Sequence, residues 1–531
     1  MSTKSTFVIN NDFDVTSALE QAQCAAEWQS NPPESYESTY YDSFDWRLHN
    51  ASSYLVLEKS LHALSLNWCD KDGDRIRQWA NVEEPPDFVC KLAEGALKDA
   101  LGPVLDVRRL LPYIRIKHRT ESYVLLNEDK KIVLRVAKDS TRAINPQTGK
   151  SKALIPRLHV QALKGYAKPY KEFIRYLRLQ YKLKSASAPF NEAITAHDIT
   201  PGDYSSKLKL KLDPEIRSDA AVKRFLQQLL AVMERNEAGI EADWDSEFLH
   251  DFRVAVRRSR SIIGQIKQVM PVRVLNKLQH EYAWLNQVSG PSRDMDVYLL
   301  NFPDYQASLA EDIQGDLAPL EQFLRDHKQT AYKKLVRALH SARYRNFKQY
   351  VGKYIDAPVS ERTTLAHAKQ SITEVSGQRI WRFYRRVMKE GKAISNSSPN
   401  EALHELRKSC KKLRYLLEFC RSVYAKKDVD RLIKALKQLQ DNLGEFQDFS
   451  VQIHALQQFS QQMVEEKRAS EGTLLAMDSL IAILQQRQAK VRKLFHQRFK
   501  QFSGKENEAI FKQLFRPAKS AKGPERAQVV R

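Results

Sequence analysis

The chain has 531 residues, 42% hydrophobic and 28% charged, enough apolar material for two or three domains with sizeable cores. Seventeen Gly and twenty Pro exclude collagen-like and low-complexity classes, and no apolar run reaches the length of a membrane span. With 86 Lys and Arg against 64 Asp and Glu, the formal net charge is +22, which attracts polyanions of any kind.

The opening MSTKSTFVINNDFDVTSALE has no basic stretch leading into an apolar one. No export signal is expected, and the sequence reads as cytoplasmic. Cys24, Cys69, Cys90, Cys410 and Cys420 show no CxxC spacing and no His cluster beside them. They read as buried free thiols, with no metal site and no cofactor.

Along the chain, VEEPPDFVCKLAEGALKDAL (82–101) carries a Pro-Pro break and then a helical pattern. YIRIKH (113–118), SYVLLN (122–127), KIVLRVA (131–137) and RLHVQAL (157–163) are short and rich in Val, Ile, Leu and Tyr. They predict strands, with NEDKK as a hairpin turn. KPYKEFIRYLRLQYKL (168–183) predicts an amphipathic helix. Residues 1–205 are therefore a mixed α+β domain.

From about 213 helical spacing dominates, as in AAVKRFLQQLLAVMERN and LIKALKQLQDNLGEFQDFSVQIHALQQF. Breaks are expected at MPVR, SGPSRD, DAPVSERT and SNSSPNEAL. This predicts an all-α domain over 206–503. The basic, Pro-containing end, 504–531, predicts a disordered tail.

The helical part repeats itself. EFLHDFRVAVRRSR (247–260) aligns with EALHELRKSCKKLR (401–414) at an offset of 154 residues. His250 falls on His404, Arg253 on Arg407, Arg257 on Lys411, Arg258 on Lys412 and Arg260 on Arg414. Gly290 and Asp294 fall on Gly444 and Asp448 without a gap. On a helical wheel, residues 250, 253, 257 and 260 lie within about 80°, beside the apolar face. Carboxylates three or four residues away are nearly absent, although they normally offset such charge. An external anion supplies the missing charge on one reading; acidic residues on other helices supply it on another. Asp294 and Asp448 follow Gly-containing breaks and read as helix caps.

HDFRVAVRRSR with SRDMDV, then LHELRKSCKKLRYLLEF with LQDNLGEFQD, resembles the two halves of the CHAD domain, the conserved-histidine α-helical domain. The resemblance spans roughly 213 to 503. It implies two similar four-helix bundles with a basic central surface that binds inorganic polyphosphate. It further implies that His250, Arg253, Arg257, Arg260, His404, Arg407, Lys411 and Arg414 line that site, with Arg258, Lys408 and Lys412 as additions.

YYDSFDWRLHNASSYLVLEK (40–59), with the strands after residue 112, is similar to CYTH domains, which have the triphosphate tunnel fold. The carboxylate-rich opening strand of that family reads TFVIN here, and its LRxR strand reads Leu55-Val56-Leu57-Glu58. A later ExE pair reads His159 and Gln161. Metal-assisted phosphoryl hydrolysis needs hard oxygen ligands. Arg115, Lys117 and Arg119 alternate onto one strand face, either as an anion-attracting row or as a solvated outer face.

The fold expected is therefore an α+β domain of degenerate antiparallel barrel or tunnel type, then an all-α domain of two duplicated four-helix bundles. The function expected is non-catalytic binding of inorganic polyphosphate or another polyanion, with no membrane contact. The rivals are an inorganic triphosphatase or polyphosphatase and a nucleic-acid binder. Nucleic-acid modules add aromatic stacking platforms, and the two basic helices carry few exposed aromatics among their charges.

Overall fold

The computed structural model describes residues 4–22, 27–61, 63–71, 76–208 and 210–517. The chain divides into two compact units, Met1–Ser205 and Ser206–Arg531. The first is an antiparallel sheet unit and the second is helical.

The sheet holds β1 (Lys4–Val8), β2 (Glu27–Ser30), β3 (Glu34–Asp42), β4 (Ser53–Lys59), β5 (Leu64–Asp70), β6 (Ile76–Asn81), β7 (Leu111–Leu126), β8 (Ile132–Ile144), β9 (Ser151–Ala153), β10 (Arg157–Ala162) and β11 (Lys184–Ser185). Their order is β11-β1-β10-β8-β7-β3-β4-β5-β6, with β2 also on β7 and β9 on β8. The strands expected at 113–118 and 122–127 are one strand of sixteen residues, β7, because the polar residues between them keep pairing with β8.

The helices α1 (Val15–Glu20), α2 (Arg47–Asn50), α3 (Ala96–Leu105), α4 (Ala167–Gln180) and α5 (Pro189–Ala196) complete this unit. Phe173, Ile174 and Leu177 of α4 pack on Leu134, Val136, Leu158 and Val160 of one sheet face. Ala193 and Ile194 of α5 cover Ile114, Ile116 and Ala143. Arg115, Lys117 and Arg119 are exposed, with Arg115 paired to Glu37 at 3.1 Å, and Lys117 and Arg119 line an open pocket with Lys59 and Arg142. His118 Nδ1 lies 2.8 Å from Asp139 Oδ2, and His159 pairs with Thr6 of β1 at 3.0 Å.

The second unit holds α6 (Ser218–Glu241), α7 (Ser246–Gln265), α8 (Val272–Ala307), α9 (Ala318–Leu339), α10 (Ala342–Asp356), α11 (Ile372–Ala393), α12 (Asn400–Phe419), α13 (Lys426–Glu465), α14 (Glu471–Phe502) and α15 (Lys505–Phe515). Successive neighbours pack in each half, and α10 folds back on α6 as α15 does on α11. Each half thus has five helices, where four were expected. The ends of α8, α9, α13 and α14 share one core that includes Phe302, Phe323, Leu456 and Met477.

Two expectations fail in this unit. Residues 505–515 are helical, because Phe511 and Phe515 are buried, Phe511 stacked on Tyr384 and Phe515 edge to face with Tyr424; residues 518–531 of the expected tail lie outside the described residues. SGPSRD does not break the chain, since α8 runs through Pro291. Of the cysteines, Cys69, Cys410 and Cys420 are buried free thiols, Cys90 is exposed, and Cys24 lies outside the described residues.

Gly239 near the end of α6 abuts the Phe248 ring of α7, and Gly391 of α11 abuts the Phe499 ring of α14. A methyl group at either position meets an aromatic ring inside contact distance. Gly239→Ala or Gly391→Ala is expected to cost about 1–3 kcal/mol by overpacking, read as a lowered melting temperature.

Candidate anion-binding site

The site is assembled by helix packing. α7 begins at Asp245, whose carboxylate accepts the amide of Glu247, and it buries Phe248, Phe252, Val256 and Ile263. α12 buries Leu403, Leu406, Cys410, Leu413 and Leu417. The two helices pack on each other, so the basic stripes flanking their apolar faces meet.

Lys411 registers that meeting. Its ammonium is pushed down to about 8, first by burial, then by Arg407 on its own helix and Arg257 across on α7. Asp448 opposes this, and Arg414 adds to it. Arg253 is pushed down to about 10 by burial, against Asp294 and with Arg257 and Arg293. At ion-pair distance, no carboxylate of the described residues partners Arg257, Arg260 or Lys411.

The conserved spacing between the two halves reappears as matched contacts. Arg293 Nη2 donates to His250 Nδ1 at 3.1 Å, so the ring proton of a neutral His250 sits on Nε2. His404 Nδ1 lies 2.8 Å from Gln447 Oε1. Each partner lies 43 residues beyond its histidine. Sequence reasoning missed Arg293 and Gln447, although each immediately precedes an aspartate of the repeat.

The anchoring of the two central arginines differs. Arg253 Nη1 donates to Asn286 O and to Ser289 Oγ, both at 2.9 Å. Arg407 Nη2 donates only to Asp448 Oδ1, at 3.3 Å. The buried Nε of each has no hydrogen-bond partner. The two guanidinium groups lie over Gly290 and Gly444, where a Cβ would meet them at 3.6 and 3.7 Å, ordinary contact distances. Arg253 also contacts α8 next to its internal proline. Pro291 has no N–H to donate, and the contacts of Arg253 with Asn286 and Ser289 brace that turn.

Asp294 and Asp448 are therefore not helix caps. They lie inside α8 and α13, where burial raises both carboxyls, opposed by Arg253 and Arg407 respectively.

The remaining candidates lie elsewhere on the two helices. Arg258 donates to Ser206 O at 2.8 Å and lies 3.5 Å from Glu418 of α12. Arg414 lies 3.2 Å from the same carboxylate. These two are held by an internal ion pair. Arg260 is exposed. Lys408 pairs with Glu405 at 2.6 Å, and Lys412 Nζ lies 6.0 Å from the Phe383 ring, so both turn toward α11.

A family model described as CHAD domain matches residues 224–457. Two uncharacterized proteins of Mycobacterium tuberculosis are 28% identical over 284 residues, 52% of this chain and 50% of theirs. The chain spans about half the length of these curated relatives. Among solved structures, the CHAD domain from the plant Ricinus communis is 25% identical, with a TM-score of 0.46 over 55% of this chain and 95% of that one. PptA from Streptomyces chartreusis is 14% identical, with a TM-score of 0.42 over 54% of this chain and 100% of that one.

The contacts predict unequal mutants. Arg253→Ala removes a brace of α8 and is expected to cost about 1.5–3 kcal/mol of stability, as loss of a charged hydrogen bond does. Arg407→Ala costs less, since it breaks one longer contact. Thermal unfolding of both variants measures the difference. Lys411→Met is expected to raise the melting temperature, because it removes a half-buried charge crowded by Arg257 and Arg407.

Proposed function

This chain carries a CHAD domain over residues 224–457, and from that premise we propose that the domain binds inorganic polyphosphate without turning it over. The observation that carries the reading is the meeting of Arg257 and Lys411 across two helices with no carboxylate at ion-pair distance among the described residues. Phosphate oxygens supply that charge. Arg257, Arg260, Arg407 and Lys411 donate to them. Arg forks engage two oxygens at once, and Lys acts as a point charge. The buried Nε groups of Arg253 and Arg407 are two further donors with unused capacity.

The non-catalytic part of the reading rests on the sheet unit. Strand β10 presents His159 and Gln161 where the tunnel family carries two carboxylates, and β1 pairs Thr6 with His159. Asp139 on the same face is engaged by His118, with His159 at 3.9 Å. The chain has no helix among its described residues that is long and apolar enough to cross a membrane.

Filter binding tests the reading with polyphosphate and single-stranded DNA side by side, and with tripolyphosphate turnover in Mg²⁺ or Mn²⁺. Retention of polyphosphate ahead of DNA, with no phosphate release above background, is the expected result. Chelator-sensitive release would support the triphosphatase alternative, and equal retention would support a nucleic-acid binder. Affinity is expected to fall with salt, since bound phosphates release counterions.

The pH dependence has a defined sign. Free Lys411 loses its proton from about pH 8, whereas a bound anion favours the charged form and raises that value. Affinity is therefore expected to be constant below pH 8 and to fall above it, by up to about tenfold per pH unit while binding takes up one proton. Lys411→Gln is expected to weaken binding at pH 7 and flatten this decline.

A further inference from the structure

We propose that a polyphosphate chain leaves the central site in one direction only, across α12 and onto a basic face of α11. This rests on the polyphosphate reading above and adds a second contact surface to it.

The surface begins where the central stripe ends. On the α12 wheel, Lys408 lies about 40° and Lys412 about 80° beyond His404, on the side away from Arg407. Both are exposed and face α11. α11 answers with its own stripe. Arg379, Arg382 and Arg386 fall within about 60° of one another on that helix. Phe383, the ring that Lys412 approaches, sits between this stripe and the buried face of Ile380, Tyr384 and Val387.

The two helices are joined by a short connection, and Arg386 lies close enough to Glu405 for each to perturb the other. Seven residues back from Arg386 is Arg379, and seven residues on from Glu405 is Lys412. In an antiparallel pair those two therefore lie at one level. Arg379 is pushed down from the usual arginine value by burial and then by Arg382. Arg379, Arg382 and Lys412 have no carboxylate at ion-pair distance among the described residues, whereas Arg386 pairs with Glu390 and Lys408 with Glu405.

The first half lacks this surface. At the 154-residue offset of the repeat, Phe225, Gln228 and Val232 of α6 stand where α11 has Arg379, Arg382 and Arg386. Arg224 is an exposed cation elsewhere on α6. On α7, Val254 stands for Lys408, and Arg258, the match of Lys412, is tied to Ser206 O and Glu418. A short anion fills the central site and never reaches α11. A long one binds both surfaces, and the second contact is intramolecular.

The test compares tripolyphosphate with a long polyphosphate on the full chain carrying Arg379→Gln, Arg382→Gln and Lys412→Gln together. These side chains are exposed or half-buried, and unfolding curves confirm that the variant folds. Affinity for the long polymer is expected to fall about tenfold or more for three lost charged contacts, with a shallower salt dependence. Affinity for tripolyphosphate is expected to stay within about twofold, and Arg224→Gln to leave both ligands unchanged. Equal losses for the two ligands, no loss, or the same loss from Arg224→Gln would overturn the one-sided path. If the unaltered chain binds neither ligand, the polyphosphate reading itself falls.

Discussion

Positive charge brought together without its counter-charge is the constraint around which the helical unit is arranged. Two helices that must bury Phe252, Val256, Leu406 and Leu413 also carry Arg257 and Lys411 to a common edge. Water screens such repulsion poorly where the groups are half-buried. The chain could have relieved it with a carboxylate three or four residues along either helix. It does so one turn away, where Glu418 lies within ion-pair distance of both Arg258 and Arg414. The relief stops short of Arg257 and Lys411. On the reading proposed above, a fold able to neutralise charge on the same pair of helices, and not doing so at their centre, keeps a place for an outside anion at some cost in stability.

The two halves share positions but not duties. His250 meets Arg293 where His404 meets Gln447. Arg253 braces α8 beside Pro291, whereas α13 carries Glu445 at the matching place, and Arg407 has only Asp448 to hold. Arg258 is tied where Lys412 has no carboxylate at ion-pair distance among the described residues, and Arg414 is tied where Arg260 has none. Near-symmetry of sequence therefore coexists with an asymmetric surface, and an offset alignment reads the first without revealing the second.

Much of the framework was legible in the sequence. Helical periodicity after 213 found the helices, and the 154-residue offset found the two that carry the site. What it missed has physical causes. The segment 505–515 was hidden by its basic surroundings, although Ile510, Phe511 and Phe515 have helical spacing. SGPSRD looked like a break because Pro291 disfavours a helix locally, yet α8 runs through it, beside the contacts of Arg253 with Asn286 and Ser289. Asp294 and Asp448 looked like caps for the same reason. The separation of Arg258, Arg414, Lys408 and Lys412 from the central cations depends on which neighbour each helix face meets, and one helix's wheel does not contain that information.

The sheet unit offers a control for the electrostatic argument. Asp139 is buried there, and burial alone would raise its carboxyl. The bond from His118 and the proximity of His159 more than offset it and hold the group at about 2. Thr120 adds a hydroxyl at 3.3 Å. A buried charge is thus surrounded by partners from neighbouring strands, as the cost of leaving it unpaired requires. The same chain that partners Asp139 so fully leaves Arg257 and Lys411 facing each other. On the polyphosphate reading, the contrast within one polypeptide separates a charge that comes with its partners from charges whose partner arrives with the ligand.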